Sequence, residues 1–373
     1  MKEAIKPRVG IPRALLYYTY YPLWHAFLTE LGVEVVVSPP TTKGIVDAGV
    51  KVTVDEACLP VKVFCGHVAS LRGSVDYIFV PRLVSVEHRA YICPKFMGLP
   101  DIVRNNISRL PELIAPSFDC SRGEKGYISG FYEVGRVFTH RSREIRRAYN
   151  LANERLSKFV RAMESGLSLG EAFSSVGLVE ALAASQAATS GNANVRPGMG
   201  RKDAHAGGQA PSLDGNPSCR DGAISGIGPG EAEPITIGII GHPYNIYDSY
   251  VNMRLIERLE GMGARIITPE MLPLSVVEDE AARLPKRLFW TFARRILGAA
   301  YHFLSSPKVH GCLHITAFGC GPDSLVGELI EREAKRRREV PFMTITIDEH
   351  TGEAGVVTRL EAFMDMIRRG RGR

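Results

Sequence analysis

Apolar positions along the chain recur in two stretches of short β-rich runs alternating with helical periods, divided by a stretch almost without large apolar residues. RVGIP, residues 8–12, reads as a buried strand. RALLYYTYYPLWHAFLTELG follows as an apolar helix that Pro22 is expected to kink. VEVVVSPP, VKVTVDE and VDYIFVPR read as a second, third and fourth strand. This alternation predicts a parallel sheet with helices on both faces. Residues 101–182 read as helical, and SREIRRAYNLANERLSKFVRAMESG ends at a glycine suited to a C-cap.

Residues 188–233 are rich in Gly, Ala, Ser and Pro and hold too little apolar surface to fold, which predicts a flexible linker. After it the first pattern returns. TIGIIGHPYNIYDSYVNMRLIERLEGMGARIITPE follows the same order of strand, helix, glycine, strand and proline as RVGIPRALLYYTYYPLWHAFLTELGVEVVVSPP. HGCLHITAF and FMTITIDE supply two more strands. The expected fold is α/β, with two Rossmann-like parallel-sheet units related by a weak internal repeat. Its segments are a first unit over 1–105, a mainly helical segment over 106–187, the linker over 188–233 and a second unit over 234–373.

At 373 residues and 45% hydrophobic, the chain is large enough for two cores. A net charge of +6, spread along the chain, is not a nucleic-acid footprint, and the basic runs KRRRE and RRGRGR read as solvated faces. No signal-peptide core and no membrane-length apolar run is seen, so the expectation is a cytoplasmic protein with no membrane association. In that compartment its 7 cysteines are expected to serve metal or catalysis rather than disulfides.

Three cysteines share a local pattern: Cys58 in DEACLPVKVF, Cys93 in YICPKFMGLP and Cys320 in FGCGPDSLVGELI. Each has a proline within two positions, namely Pro60, Pro94 and Pro322. Cys58 and Cys320 read as following a strand and opening a helix, where proline suits the first positions, and Cys93 as following the fourth strand after a loop. Ligands collect outside the carboxyl ends of strands in open α/β sheets, and helix N-termini favour thiolate, so the three can converge on a metal or cluster. Cys312 reads as core, Cys65 as helical, Cys120 as a loop residue, and Cys219 falls in the linker. There is no C-x-x-C pair of the zinc-ribbon kind. His242 in GHPYNIYD, and Asp348, Glu349, His350 and Glu353 in DEHTGEAG, also follow strands; they read either as proton-transfer groups or ligands, or as turn anchors and helix caps. Tyr17, Tyr18, Tyr20 and Tyr21 read as core packing.

GIPRALLYYTYYPLW, VDEACLPVKVF, YICPKFMGLPD, GHPYNIYD, FGCGPDSLVGELIERE and DEHTGEAGVVTRLEAF, in this order, resemble the acyl-CoA dehydratase activase-related proteins, also labelled CoA-substrate-specific activases. These belong with the 2-hydroxyacyl-CoA dehydratase components and double-cubane cluster proteins. The resemblance implies a [4Fe-4S] or double-cubane iron–sulfur cluster on Cys58, Cys93 and Cys320, between Rossmann-like domains. It also implies a low-potential electron from a separate ATP-hydrolysing activator, used for radical dehydration or a difficult reduction of an acyl-CoA or other small reducible substrate. The chain itself has no Walker-type phosphate loop. His242, Glu349 and His350 are then the candidate proton donors, and a homo- or heterodimer suits the three-ligand set. Two other readings stand beside this one: a non-catalytic partner that docks to a dehydratase or activator, and a metal-free enzyme with Cys320 as nucleophile and His350 or His242 as its base.

Overall fold

The computed structural model describes residues 6–121, 123–178 and 234–371. The proposed linker and Cys219 lie outside the described residues. Ten strands are described: β1 Arg8–Ile11, β2 Glu34–Val37, β3 Tyr77–Phe79, β4 Arg82–Ser85, β5 Glu112–Ile114, β6 Ser117–Asp119, β7 Ile235–Gly241, β8 Ala264–Ile267, β9 Gly311–Ala317 and β10 Phe342–Ile347. They form two four-stranded sheets, β2-β1-β3-β5 and β8-β7-β9-β10, and a small pair, β4-β6. Every pairing is parallel. The two large sheets have one topology: the first strand of each unit is flanked by the second and third, with the fourth outside. The chain is therefore α/β with Rossmann-like units, and the internal repeat is visible in strand order.

The repeat extends to the crossovers. Between β2 and β3 the chain makes two helices, Lys43–Val52 and Leu59–Ser70; between β8 and β9 it makes Leu274–Ala281 and Thr291–Ser305. Each pair packs backbone to backbone through a glycine. A Cβ on Gly66 would lie 2.0 Å from the Ile45 carbonyl oxygen, and one on Gly298 would lie 2.0 Å from that of Val277. These glycines are fixed by close approach, not by a turn.

Two sequence expectations change here. VKVTVDE is not a strand: Lys51 and Val52 end the helix Lys43–Val52, which Thr42 caps by accepting the Ile45 N–H. Its alternating valines imitate a period of two, but Ile45, Val46 and Gly49 form the buried face of a helix pressed on its neighbour. Cys58 accordingly follows a helix and a turn. Within 101–182, expected to be helical throughout, ELIAPSFD supplies β5 and β6, and β5 completes the first sheet. Three-residue strands are too short for a period to register, and only pairing reveals them.

The helix Tyr17–Glu30, with Pro22 inside, carries Tyr17, Tyr18 and Tyr21 into the core, where Tyr17 and Tyr21 pack 4.6 Å apart and against Phe173. The long helix Ser142–Glu164 lies against it and buries Ile145, Ala148, Ala152, Phe159 and Met163. Each fully buried large apolar side chain of this kind contributes about 1.5–3 kcal/mol.

The two units meet through a buried polar chain at the carboxyl ends of β2 and β7. Thr41 Oγ1 (2.5 Å) and Tyr18 Oη (3.1 Å) both donate to Asp248 Oδ2. With its proton given to Asp248, Thr41 accepts from His67 Nε2 at 2.9 Å. The other ring nitrogen, Nδ1, therefore accepts from Ser38 Oγ at 2.9 Å, and Ser38 in turn accepts the Arg13 backbone N–H. Burial, with Arg13 nearby, pushes His67 down to about 3, so the ring is neutral and each nitrogen has a partner.

Two outcomes follow from these packing and bonding arrangements. Gly66→Ala should lower unfolding free energy by about 1–3 kcal/mol in urea melts, because backbone must move to admit one methyl group. As pH falls from about 6.5 towards about 3, unfolded His67 takes up a proton that the folded chain refuses, so stability declines by up to about 1.4 kcal/mol per pH unit from this group. The wild-type minus His67→Gln difference in urea midpoint should shrink over that window.

Candidate metal centre at four helix starts

Cys58, Cys93 and Cys320 are each the residue immediately before a helix with proline in its first two positions. The helices are Leu59–Ser70, Pro94–Met97 and Gly321–Arg337. His242 holds the same position before Pro243–Ile246. Cysteine is not a preferred N-cap, since its sulfur is a poor acceptor for the first backbone N–H groups. All four residues line one pocket, together with Leu15, Lys95, Tyr244, Trp290, Phe292 and Gly319. Residues separated by up to 262 positions are thus gathered at the carboxyl edges of the two sheets.

Contacts between the units position each cysteine. Lys62, only 2% exposed, lies one turn into the Cys58 helix; its Nζ donates to the Asp55 carbonyl at 3.0 Å and pairs with Glu349 in the loop after β10. The Cys58 loop is thereby held to the second unit. The Cys93 loop is held through Tyr91, whose N–H donates to the Phe289 carbonyl (3.2 Å), whose carbonyl accepts the Thr291 N–H (2.8 Å) and whose ring stacks on Phe289. Glu87 in the same loop pairs with Arg294 and Arg295. Burial pushes its carboxyl up, but the two guanidiniums outweigh this and hold it below the usual range. Cys320 follows Gly319, whose φ of +76° needs glycine and whose Cα faces the Glu56–Cys58 backbone. Lys95 Nζ reaches the Gly319 carbonyl at 3.4 Å, linking the Cys93 and Cys320 loops.

Cys93 and Cys320 are electrostatically unfavourable as bare thiolates. Burial pushes Cys320 up, Asp323 and the thiols of Cys58 and Cys93 push in the same direction, and the Asp323 backbone N–H only partly opposes them. Cys93 is also raised, by burial first. A helix start alone was expected to favour thiolate; here desolvation and mutual repulsion exceed it. Such a set is stabilised by a cation that draws the negative charges together, and it is a poor environment for a free nucleophile.

Asp323, at 1% exposure, lies behind Cys320. His242 Nε2 is 3.0 Å from its Oδ1, and Thr316 Oγ1 donates to its Oδ2 at 3.2 Å. Burial pushes this carboxyl up, yet His242, His314 and Thr316 together hold it below its ordinary value. A nitrogen of His242, the sulfur of Cys320 and a carboxylate oxygen of Asp323 lie within 4.8 Å of one another. His242 also stacks on Tyr244 at 4.9 Å.

The remaining candidates stand apart. Glu349 is committed to Lys62, and His350 is exposed with its backbone N–H on Asp348; neither lines the pocket. Asp348 also accepts from Thr351, and Glu353 opens the helix Glu353–Arg371 and pairs with Arg258. Cys65 and Cys312 are fully buried in the Leu59–Ser70 helix and in β9; burial raises both, Cys65 to about 12. Cys120 follows β6, outside the pocket, and is raised to about 11, chiefly by burial. Sequence reasoning missed Lys62, Glu87 and the pairing role of Asp323. A buried lysine and an acidic residue followed by two arginines some 200 positions later leave no local signal; Asp323, three residues past a candidate ligand, did.

The family model for the CoA enzyme activase uncharacterised domain (DUF2229) matches residues 8–272, most of the chain. The chain belongs to this family. The match is consistent with the acyl-CoA dehydratase activase-related group. It contains Cys58, Cys93 and His242, while Cys320 lies beyond it. No curated protein matches the chain. Among the described residues no helix is long and apolar enough to cross a membrane.

In reduced, metal-free protein at neutral pH, iodoacetamide should alkylate Cys320 and Cys93 roughly tenfold or more slowly than free cysteine, because little thiolate is present. Cys65 and Cys312 should react only after unfolding. Peptide mass spectrometry over a time course reads both outcomes.

Proposed function

We propose that this activase-family chain is an iron–sulfur protein in which Cys58, Cys93 and Cys320 hold the cluster. The observation that carries the reading is the convergence of these three cysteines, each at a helix start, in one pocket at the facing sheet edges. The donor set suits the group: three sulfurs, whose bare charges repel and whose neighbours include backbone N–H groups, match the thiolate ligation of iron–sulfur centres. Three protein ligands leave one position of a cubane for a non-protein partner. Bound there, the cluster would supply low-potential single-electron chemistry.

The chain's own residues would do the rest. Gly319 and Gly321 keep side chains away from the Cys320 backbone. Phe292, Tyr244, Trp290 and Leu15 exclude water around the sulfurs. His242, paired with Asp323, is the proton-carrying group beside the site, whereas Glu349 is a clamp for Lys62. The electron is taken from a separate ATP-hydrolysing activator, since the chain has no Walker-type loop of its own. Radical dehydration or reduction of an acyl-CoA or another small substrate is the reaction class that this arrangement serves.

A second reading is favoured by one observation, the His242, Cys320 and Asp323 atoms within 4.8 Å: a single divalent ion on these three groups. Metal and sulfide analysis separates the two. Anaerobic reconstitution followed by iron, acid-labile sulfide and low-temperature EPR measurement should give iron and sulfide in equal amounts with a cluster signal. Cys58→Ala, Cys93→Ala and Cys320→Ala should each lose most of the iron, and Cys312→Ala should keep it. A folded protein without iron after reconstitution, or with zinc and no sulfide, sinks the cluster reading.

A further inference from the structure

Next to the cysteine pocket is a larger cavity of about 250 Å³ that the site described above does not use. It is enclosed by the start of the Tyr17–Glu30 helix, the face of Ser142–Glu164 that carries Leu156, Phe159 and Met163, and the second unit's Thr291–Ser305 helix. Its walls are overwhelmingly apolar. Leu15, His242, Tyr244 and Phe292 are shared with the cysteine pocket, so these side chains separate the two spaces. An apolar hollow with a few polar side chains in its wall has the character of a small-molecule site.

The polar groups define the ligand. Arg295 lines the cavity one helical turn from Phe292, and its Nε is buried with no hydrogen-bond partner. Its Nη2 is already committed to Glu87. Around Glu87, three guanidiniums (Arg287, Arg294 and Arg295) face two carboxylates, Glu87 and Glu278, which leaves one positive charge in excess. The excess positive charge of this cluster, of which Arg295 is the member on the cavity wall, selects an anionic oxygen. Glu164 and Glu270 are also on the wall; Glu270 accepts from Tyr247, and burial raises its carboxyl.

We propose that this cavity binds a small, mainly apolar carboxylic acid, with its carboxylate on the Arg295 guanidinium and its hydrocarbon body along the Phe292–Tyr244–His242 wall that adjoins the cysteines. Binding itself stands on the cavity alone; the further assignment of this molecule as the substrate rests on the cluster reading.

Calorimetric titration of the full chain with 4-phenylbutyrate, and separately with 4-phenylbutanol, tests this. The acid should bind about tenfold or more tightly than the alcohol, the worth of one charge-assisted hydrogen bond. Arg295→Gln should reduce the acid to the level of the alcohol. Val160 and Leu274 line the cavity yet are 42% and 47% exposed, so Val160→Trp and Leu274→Trp can fill it without disturbing the core, and each should weaken both probes. The acid/alcohol comparison on the wild type needs no variant to fold. Absence of binding at millimolar probe, equal binding of acid and alcohol, or binding indifferent to both tryptophans overturns the proposal. Iron content measured on the same samples keeps the two readings apart: acid binding without iron sinks the cluster alone, and iron without acid binding sinks the cavity assignment alone.

Discussion

The carboxyl edges of two parallel sheets face each other, and this single constraint organises the molecule. In a parallel sheet every strand delivers its chain to the same edge, so the loops and helix starts of each unit accumulate there. Turning one such edge against another encloses the polar ends of both units in a space largely removed from water. The buried chain from Ser38 through His67 and Thr41 to Asp248 is one consequence: polar groups at that seam must find partners across it. The gathering of four helix starts around the sulfurs is another.

The same constraint makes the cysteines unusual. Each sulfur sits at a helix start, yet at Cys93 and Cys320 desolvation and the neighbouring thiols outweigh the backbone N–H groups. The arrangement is therefore unsuited to free thiolates and suited to a shared cation or cluster. The loops that carry the sulfurs are not independent: Lys62, Glu87 and Tyr91 each reach from the first unit to the second. A site built in this way tightens or loosens with the interface between the units, and the apolar cavity beside it is formed by that interface too.

The duplicated topology explains why the two units mate so well. The glycine-mediated contact of the paired crossover helices occurs in both, and the residue that precedes the second helix of each pair, Cys58 in one unit and Trp290 in the other, reaches the same pocket. Likewise Cys93 and Cys320 both lie beyond the third strand of their units.

The sequence alone determined the parallel α/β class, seven of the ten strands described, the duplication and the three cysteines followed by proline. Proline fixes the start of a helix, and alternating apolar runs identify buried strands, through forces that act over a few residues. Short-range pattern failed where it was ambiguous: Val50 and Val52 of VKVTVDE end a helix whose Ile45, Val46 and Gly49 are buried, and ELIAPSFD pairs as strands only because a sheet edge is there to accept it. What only the tertiary structure decided is which groups meet. Glu349 became the partner of a buried lysine rather than a group at the pocket, Asp323 became the partner of His242, and Arg295 came to line an apolar hollow. These outcomes depend on burial and on contacts across more than 200 residues of sequence for the first of them, and no local pattern encodes either.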